Sequence, residues 1–407
     1  MDILFITTQF PYPLDNGGKH GAINGLKVVS KDNNVTVLSF TEQPESVEEG
    51  IKKYKHLLPN VEFVVPVLQD IHIRKMPIKL MKVMLKDYIT GIPYVTSKFD
   101  NKQMYQTIDK IFVNKYWDVV FVDYLNMFIY GDYIRKKYWG QYSVLVLKDH
   151  NIEYEIVKQA ADNCSGIKKW ILNREWKITK EYEEKAIQCA DVVFSVCEEN
   201  TSYMRTINEK SYTMLPTYIV NERKPEKNFN HNILYIGNLS WKANMEGVTW
   251  FVNRVFPMVK AKVTDAVLTI VGNGPQMNPF SEIKGVNYKG YIKDISHIYD
   301  NQSAFIVPLF EGSGIRIKIL EAFDNEIAVV STSLGCGTIG AIDGQEIIIA
   351  DDEEAFASGV VSLLTDCERN QKITRNATMF LKESFSLEKR QEEFKAIIEG
   401  ELQKSNE

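Results

Sequence analysis

A run of glycines and charged residues between Gly312 and Ala322 has the composition of an anion-binding turn. It follows the apolar segment Ala304–Val307, which predicts a buried strand, and its second half predicts a helix. A strand, a glycine-rich turn and a helix N-terminus favour phosphate binding, because free backbone N–H groups and the helix dipole both attract an anion. The sequence therefore predicts a phosphate site in this turn.

Three charged side chains of the predicted helix support this interpretation. Arg316 and Lys318 fall in its first turn, where the dipole alone disfavours cations, so a bound anion would explain their presence. Glu321 is seven positions after Gly314, on the same helical face, and could accept hydrogen bonds from ribose hydroxyls. The alternative is that the three side chains form a solvated, salt-bridged surface through i,i+3 contacts.

Two further candidates follow predicted strands in the first half of the chain. Gly17 and Gly18, with Lys19, come after the first strand, where a glycine pair would let the backbone reach a diphosphate. The same run is also a good turn whatever it faces. His150 follows the segment Val144–Leu147, a position typical of binding residues, although a single histidine after a strand is often structural.

The elements that must position these residues form two series of short apolar strands separated by longer amphipathic stretches. The first series is Ile3–Ile6, Val35–Phe40, Val61–Val67, Val119–Val122, Val144–Leu147 and Val192–Val196. The second series is Ile233–Ile236, Val267–Val271, Ala304–Val307, Ile327–Ser331 and Ile347–Ala350. This alternation predicts βαβ units, and hence parallel sheets covered on both faces. Such sheets bind ligands at the carboxyl ends of their strands, which is where the motifs lie.

A polar, proline-containing stretch near residue 220 separates the two series and predicts an interdomain connection. A chain of 407 residues also fits two domains of roughly 200 residues each. We therefore expect two Rossmann-like, doubly wound α/β domains, residues 1–219 and 220–385, facing across a cleft. Residues 386–407 predict an amphipathic helix that crosses back to the first domain.

The composition excludes several classes of protein. With 44% hydrophobic and 25% charged residues, the chain has the balance of an ordinary folded protein. A net charge of -5 gives no electrostatic case for nucleic-acid binding. The five cysteines are scattered without a C-x-x-C pair, which disfavours a disulfide framework or a zinc knuckle and fits a reducing cytoplasm. The N-terminus enters a strand without the features of a signal peptide.

The sequence allows two interpretations of how the protein relates to a membrane. No apolar run approaches the length of about 18 residues that a spanning helix needs. The segment 71–86 is both basic and apolar, which suits peripheral contact with an anionic membrane such as the inner membrane face. The same pattern also fits a core helix with snorkelling lysines. We expect a cytoplasmic protein, with peripheral attachment as the alternative.

When these motifs are taken together, the chain resembles the retaining glycosyltransferases of the GT-B fold, in particular family 4, the glycosyl transferases group 1 type. The most specific piece is Gly312–Ala322, which looks like that group's donor-binding turn and helix. Supporting pieces are Gly237-Asn238-Leu239-Ser240-Trp241-Lys242-Ala243-Asn244, Val271–Pro275, Gly290–Asp294, Gly17-Gly18 and His150-Asn151.

The resemblance implies a role for each motif. Glu321 would hold the donor ribose, the backbone near Tyr291 and Ile292 would meet the base, and His150 would lie beside the transferred sugar. The first domain would contact the acceptor and the second the donor. The groups that would hold the diphosphate are the amides of Ser313, Gly314 and Ile315, the backbone at Gly17 and Gly18, and the cations Lys242, Arg316 and Lys318.

The expected activity is transfer of a sugar from a nucleoside diphosphate sugar to an acceptor hydroxyl, with the retention that the resemblance implies. The acceptor would be a carbohydrate or a lipid-linked or protein-linked group, as in surface polysaccharide or glycoconjugate synthesis. No D-x-D motif stands in a suitable context, so we expect no metal and no cofactor beyond the nucleotide sugar. Alternatives are an epimerase or phosphorylase of the same fold, or a non-catalytic nucleotide-sugar-binding subunit.

Overall fold

The chain forms two compact units, each with its own sheet and apolar core. The computed structural model describes residues 1–14, 17–64, 67–68, 90–113, 115–218, 225, 228–311 and 316–405. The first unit comprises Met1–Thr217 together with Leu387–Glu407, and the second comprises Tyr218–Ser386. The final helix therefore belongs to the first unit.

The first unit alternates strands and helices. Its strands are β1 (Asp2–Thr7), β2 (Asn34–Thr41), β3 (Val61–Phe63), β4 (Val67–Leu68), β5 (Trp117–Asp123), β6 (Tyr142–Asp149), β7 (Val192–Ser195) and β8 (Ser211–Thr213). Its helices are α1 (Gly17–Val29), α2 (Val47–Leu57), α3 (Tyr94–Ser97), α4 (Lys102–Ile111), α5 (Phe128–Lys137), α6 (Glu153–Asp162), α7 (Gly166–Cys189) and α8 (Glu198–Arg205), with 3-10 turns at Pro44–Ser46 and Leu125–Met127.

The sheet of the first unit is parallel, with the order β3-β2-β1-β5-β6-β7-β8, and β4 also pairs with β2. Successive residues of the central strands point to opposite faces, as the pleat requires. Leu4 and Val120 join one apolar cluster, whereas Ile3 and Val119 join another on the opposite face. Both faces are thus covered, which explains why these strands are apolar throughout.

The last helix of the chain packs on one face of this sheet. It spans Leu387–Ser405, and its Phe394 ring lies 6.1 Å from the ring of Phe121 and 6.0 Å from that of Phe194. Ile398 is fully buried in the same cluster. The Gln391 side chain donates to the backbone carbonyl of Lys27 at the end of α1, over 2.8 Å. The apolar stripe of this helix therefore covers part of the first unit's core.

The second unit repeats the alternation. Its strands are β9 (Asn232–Ile236), β10 (Val267–Val271), β11 (Val286–Gly290), β12 (Ala304–Val307), β13 (Ala328–Ser331) and β14 (Ile348–Ile349). Its helices are α9 (Lys242–Trp250), α10 (Phe256–Lys262), α11 (Ile317–Asp324), α12 (Ser333–Cys336), α13 (Glu353–Thr365) and α14 (Cys367–Ser384), and a π-helical turn, Phe251–Val255, joins α9 to α10. The final helix, Leu387–Ser405, is α15.

The sheet of the second unit has the order β11-β10-β9-β12-β13-β14, and its strand pairs are parallel. Numbered within the unit, this order is the 3-2-1-4-5-6 of a Rossmann fold. The strand order reverses between β9 and β12, just as it does between β1 and β5 in the first unit. Ligands of such sheets bind at the carboxyl ends of the strands beside this reversal.

Two strands are not predicted by the apolar runs, and one predicted strand is wrong. β8 is a short Ser-Tyr-Thr segment, and β11 alternates apolar and exposed residues, so neither has a continuous apolar run. Both lie at sheet edges, where one side of the strand is unpaired. The predicted strand Val61–Val67 is instead two short strands, β3 and β4, that both pair with β2.

In the part of the chain that the structure describes, no helix has both the length and the apolar character needed to cross a membrane. The basic segment 71–86 lies outside the described residues.

The packing of α9 gives the first testable prediction. A β-carbon on Gly247 would lie 1.7 Å from the backbone oxygen of Pro308, so Gly247→Ala must displace the main chain after β12. We expect it to lower the free energy of unfolding by about 1–3 kcal/mol, the usual cost of overpacking.

Gly400→Ala in α15 is the matched control, because a β-carbon there meets nothing within 4 Å. It should stabilise the protein by about 0.5–1 kcal/mol. Urea denaturation of both variants checks this, and a Gly247→Ala protein as stable as the control would contradict it.

Candidate functional site

In the second unit, Lys318 links the two elements beside the strand-order reversal. Its Nζ donates a hydrogen bond to Oδ1 of Asn244 over 3.2 Å. Asn244 is buried near the start of α9, and its Nδ2 donates to the backbone oxygen of Asn238 over 2.8 Å. The helix after β12 is thereby tied to the loop and helix after β9. Both connections start at the sheet edge where a Rossmann fold binds its ligand.

The Lys318 ammonium lies in a confined and largely apolar place. It sits 4.8 Å from the centre of the Tyr235 ring, and a β-carbon on Gly237 would lie only 2.8 Å from it. Burial lowers the pKa of Lys318 to about 8, with Arg316 adding to the effect and Glu321 opposing it. An anion bound beside this ammonium would stabilise its charged form.

Glu321 lies one turn further along α11 and is held by an aromatic hydroxyl. Tyr299 is buried, and its hydroxyl donates to Oε2 of Glu321 over 3.3 Å. Burial raises the pKa of Glu321, although Tyr299 and Lys318 both act to lower it. The solvated salt-bridged surface considered as the alternative is not the arrangement seen, because both charged side chains are at least half-buried and each has a neutral hydrogen-bond partner.

The other predicted residues of the second unit differ in exposure. Arg316 is buried at the N-terminal flank of α11, and burial lowers its pKa. Lys242 is exposed at the start of α9, with its Nζ 3.4 Å from Oε1 of Glu246. Tyr291 follows β11 with 72% of its surface exposed, and Ile292 beside it is half-buried. The predicted turn residues Ser313, Gly314 and Ile315 lie outside the described residues.

Two glycines bring the ends of β9 and β10 into close contact. Gly272 has a φ of 149°, and a β-carbon there would lie 1.8 Å from the backbone oxygen of Gly237. Only glycine allows the two strand ends to approach so closely. This places the backbone of both loops at the same sheet edge as α11.

In the first unit, polar side chains converge at the carboxyl ends of three neighbouring strands. Asp123 ends β5 and is fully buried; its Oδ2 accepts a hydrogen bond of 2.9 Å from the Thr7 hydroxyl, at the end of β1. Its Oδ1 lies 2.8 Å from Nε2 of His150 and 3.4 Å from Nζ of Lys148. The Thr7 contact crosses the reversal between β1 and β5, so this cluster occupies the corresponding edge of the first sheet.

His150 is held between an aromatic ring and the first helix. The Tyr124 ring stacks on the imidazole with centroids 3.8 Å apart, and its hydroxyl donates to the Gly18 carbonyl over 3.1 Å. A β-carbon on Gly21 would lie 2.9 Å from Cε1 of His150. Burial and the nearby Lys148 lower the pKa of His150, although Asp123 acts to raise it. The imidazole is therefore neutral at neutral pH.

Two buried carboxyl groups, those of Asp149 and Glu183, lie next to the loop that carries His150. Glu183, on α7, accepts hydrogen bonds from the backbone N–H groups of Glu153 and Tyr154, over 2.9 Å and 3.1 Å, at the start of α6. Burial raises the pKa of Glu183 to about 7. Burial and the nearby Glu183 raise the pKa of Asp149 well above its usual value. Asp149 also accepts from the backbone N–H of His150 over 3.0 Å, so the pair supports the loop that carries the histidine.

Several residues of these sites are missing from the sequence-based candidates, among them Asp123, Asn244 and Tyr299. Asp123 follows a predicted strand, which was a usable signal of the same kind that identified His150. Asn244 lies inside a quoted motif, but its spacing alone gave no reason to pair it with Lys318. Tyr299 lies in a turn with no motif. Among the described residues, no group of three or more histidine, cysteine or acidic side chains is arranged to hold a metal ion.

The comparisons with known proteins concern the family of the second unit and the fold of the chain. Residues 230–366 match the model of the family described as glycosyl transferases group 1. A Klebsiella pneumoniae protein, described as an uncharacterised 44.6 kDa protein in the cps region, is 25% identical over 405 residues, covering 95% of this chain and 97% of its own. Anabaena HepE, solved in complex with UDP, has a TM-score of 0.59 at 12% identity over 98% of this chain and 100% of its own. A Rickettsia africae glycosyltransferase has a TM-score of 0.58 at 13% identity, with 98% of each chain covered.

Residues 230–366 are a glycosyl transferases group 1 domain, and the chain as a whole has the GT-B fold. The expectation of two Rossmann-like α/β domains is confirmed by the two parallel sheets and by these structural neighbours. The family match falls within the second unit and includes Asn244, Lys318 and Glu321. The glycosyl transferases group 1 domain thus contains the polar cluster beside the strand-order reversal of the second sheet.

The buried carboxyl pair predicts how stability changes with pH. Because the pKa of Glu183 is raised to about 7 in the folded state, the folded protein holds this proton more tightly than the unfolded chain does. The free energy of unfolding should therefore fall as pH rises from the ordinary carboxyl range to about 7. Glu183→Gln cannot ionise and should flatten this slope in urea denaturation.

Glu184→Gln is the control for that measurement. The Glu184 side chain is more exposed and accepts from the Tyr203 hydroxyl over 3.1 Å. This variant should keep the wild-type slope. An undiminished slope in Glu183→Gln would show that another group is responsible.

Proposed function

We propose that this protein transfers a sugar from a nucleoside diphosphate sugar to an acceptor hydroxyl with retention of the anomeric configuration, in surface polysaccharide or glycoconjugate synthesis. Anabaena HepE, which shares the fold, has been solved with UDP and with UDP-glucose, which supports a nucleotide-sugar donor. The relative in the Klebsiella pneumoniae cps region supports a role in polysaccharide synthesis. The observation that carries the proposal is the largely buried Lys318 ammonium beside Asn244, at the edge where the second sheet would bind a phosphate.

The proposed diphosphate site is built on cations and helix termini. Lys318 and Arg316 stand at the N-terminal end of α11, where the helix dipole also favours an anion. The amides of Ser313, Gly314 and Ile315 would complete the cradle, with Lys242 at its exposed rim. Stabilising the departing diphosphate is the main electrostatic demand of such a transfer. Since these groups can meet that demand, we propose that the reaction needs no metal ion.

The proposed nucleoside site lies beside the phosphates. The Glu321 carboxylate would accept hydrogen bonds from the ribose hydroxyls, and the Tyr299 hydroxyl holds that carboxylate in place. The exposed ring of Tyr291 offers an apolar face for the base, with the backbone at Ile292 beside it. Aromatic rings bind bases by stacking with little sequence preference, so this contact leaves the choice of base open.

The first unit is proposed to contact the reacting sugar and the acceptor. His150 would lie beside the transferred sugar, and the backbone at Gly17 and Gly18 would approach the diphosphate. Tyr124 connects the two features, because it stacks on His150 and donates to the Gly18 carbonyl. A ligand that contacts either His150 or the backbone at Gly17 and Gly18 would therefore also affect the position of the other.

The donor can be identified by thermal shift. We expect one nucleotide class among UDP-, GDP-, ADP- and CMP-sugars to raise the melting temperature, because a ligand that binds only the folded state stabilises it. With that donor and an acceptor extract, product analysis should show a new glycoside with the donor's configuration, and chelation with EDTA should leave turnover unchanged. An epimerised donor, a sugar phosphate, or binding without any turnover would each reject the proposed transfer.

The ribose contact is tested by Glu321→Gln. Charge-assisted hydrogen bonds to two hydroxyls would be weakened, so we expect nucleotide binding to lose about 1.5–3 kcal/mol, roughly ten- to a hundredfold in Kd. Tyr299→Phe removes only the hydroxyl that holds Glu321 and should cause a smaller loss. Isothermal titration calorimetry with the preferred nucleoside diphosphate measures both.

A matched control lies on the same helix. The Tyr218 hydroxyl donates to Oδ2 of Asp324 over 3.2 Å, so Tyr218→Phe removes an equivalent bond near the end of α11. Its nucleotide affinity should equal that of the wild type. If Glu321→Gln also kept wild-type affinity, the ribose assignment would fail.

A further inference from the structure

We propose that Asp123 is a positioning residue that holds His150 in the tautomer with its proton on Nε2, so that Nδ1 accepts a hydrogen bond from a sugar hydroxyl. The proposal rests on the proposed place of His150 beside the transferred sugar. It adds the chemical type of group that the histidine receives and the residue that determines it.

The first step is the ionisation of Asp123. Its carboxylate is fully buried and is approached by the Thr7 hydroxyl, the Lys148 ammonium and Nε2 of His150, over 2.9 Å, 3.4 Å and 2.8 Å. Burial would raise the pKa of Asp123, but these three neighbours lower it below its usual value. An ionised carboxylate can only accept hydrogen bonds. The atom facing it, Nε2, must therefore carry a proton.

The second step concerns the other ring nitrogen. Burial and Lys148 keep His150 neutral, and a neutral imidazole has one N–H donor and one acceptor. With the proton on Nε2, Nδ1 presents a lone pair, and it has no hydrogen-bond partner within the described residues. The stacked Tyr124 ring and the backbone contact of His150 with Asp149 hold the loop and the ring plane.

The third step is the choice of ligand. A lone pair attracts an O–H or N–H donor and repels a phosphate oxygen, so His150 is suited to a sugar hydroxyl rather than to the diphosphate. A cavity of about 40 Å³ lies beside the imidazole and Lys148, lined in part by Gly21, Gly25 and Thr217. Space of this size next to the ring accommodates a small polar group. With this tautomer, His150 can therefore accept a hydrogen bond from a hydroxyl of the sugar, whereas the phosphates require cations.

The tautomer can be observed directly in the full-length protein. Long-range ¹H–¹⁵N correlation spectra distinguish the two ring nitrogens, and comparison with His150→Ala assigns this residue among the six histidines. We expect wild-type His150 at neutral pH to show a protonated Nε2 and an unprotonated Nδ1. Asp123→Asn, which can offer Nε2 either an oxygen or an N–H, should weaken this preference. Thr7→Val, which removes the hydroxyl contact of the same carboxylate, should preserve it.

Kinetics supply the second readout. Asp123→Asn should lower kcat by roughly tenfold, the scale of coupling between contacting residues, while the nucleoside diphosphate Kd stays within about twofold. His150→Ala should likewise lower kcat, and adding Asp123→Asn to it should cause little further loss. A full extra loss in the double variant would mean that Asp123 acts through general stability, and would overturn the proposal.

The two readouts separate the possible failures. A wild-type spectrum with a protonated Nδ1, or with both nitrogens protonated, rejects the proposed tautomer whatever the enzyme's substrate. The expected spectrum combined with wild-type turnover in His150→Ala would reject the place of His150 in transfer. In that case the hydroxyl contact inferred here is rejected as well.

Discussion

The candidate sites depend on one constraint of parallel sheets. Where the strand order reverses, the two connections leave toward opposite faces, and the carboxyl ends of the neighbouring strands stay open. Polar side chains can stand there although the remainder of each sheet is buried on both faces. The Thr7 contact with Asp123 occupies this position in the first unit, and the Lys318 contact with Asn244 occupies it in the second. A charge placed elsewhere in either sheet would have to be removed from water without a ligand to compensate it.

The two buried charges are compensated differently, and this determines what each can do. Asp123 already has a cation and two hydrogen-bond donors around it, so its charge is satisfied within the protein and serves to orient its neighbours. Lys318 donates to a neutral amide oxygen, and burial depresses its pKa to about 8. A bound anion stabilises such an ammonium more than it stabilises an exposed lysine. The reason is that the buried ammonium has less hydration to lose when the anion binds.

Most of the framework was predictable because it follows from local patterns. Strands such as β9 and β12 are short apolar runs of buried residues, and His150 and Glu321 were found from their places relative to such runs. The missed partners come from elsewhere in the chain: Asp123 is 27 residues from His150, and Asn244 is 74 residues from Lys318. Such pairs are created by the order of strands in the sheet, which periodicity does not encode. The edge strands β8 and β11 were missed because exposed edges do not require continuous apolar sequence.

The proposed function explains why the second unit has cations at its candidate site, whereas the first unit has a neutral imidazole. A nucleoside diphosphate sugar is anionic at the phosphates and neutral but rich in hydroxyls at the sugar. Lys318 and Arg316 suit the first part, whereas a neutral imidazole with an open lone pair suits the second. A protonated His150 would be a cation suited to a phosphate, and it would no longer accept a hydrogen bond from a hydroxyl. The burial and the Lys148 charge lower the pKa of His150 and keep the imidazole neutral, so they preserve its preference for a hydroxyl over a phosphate.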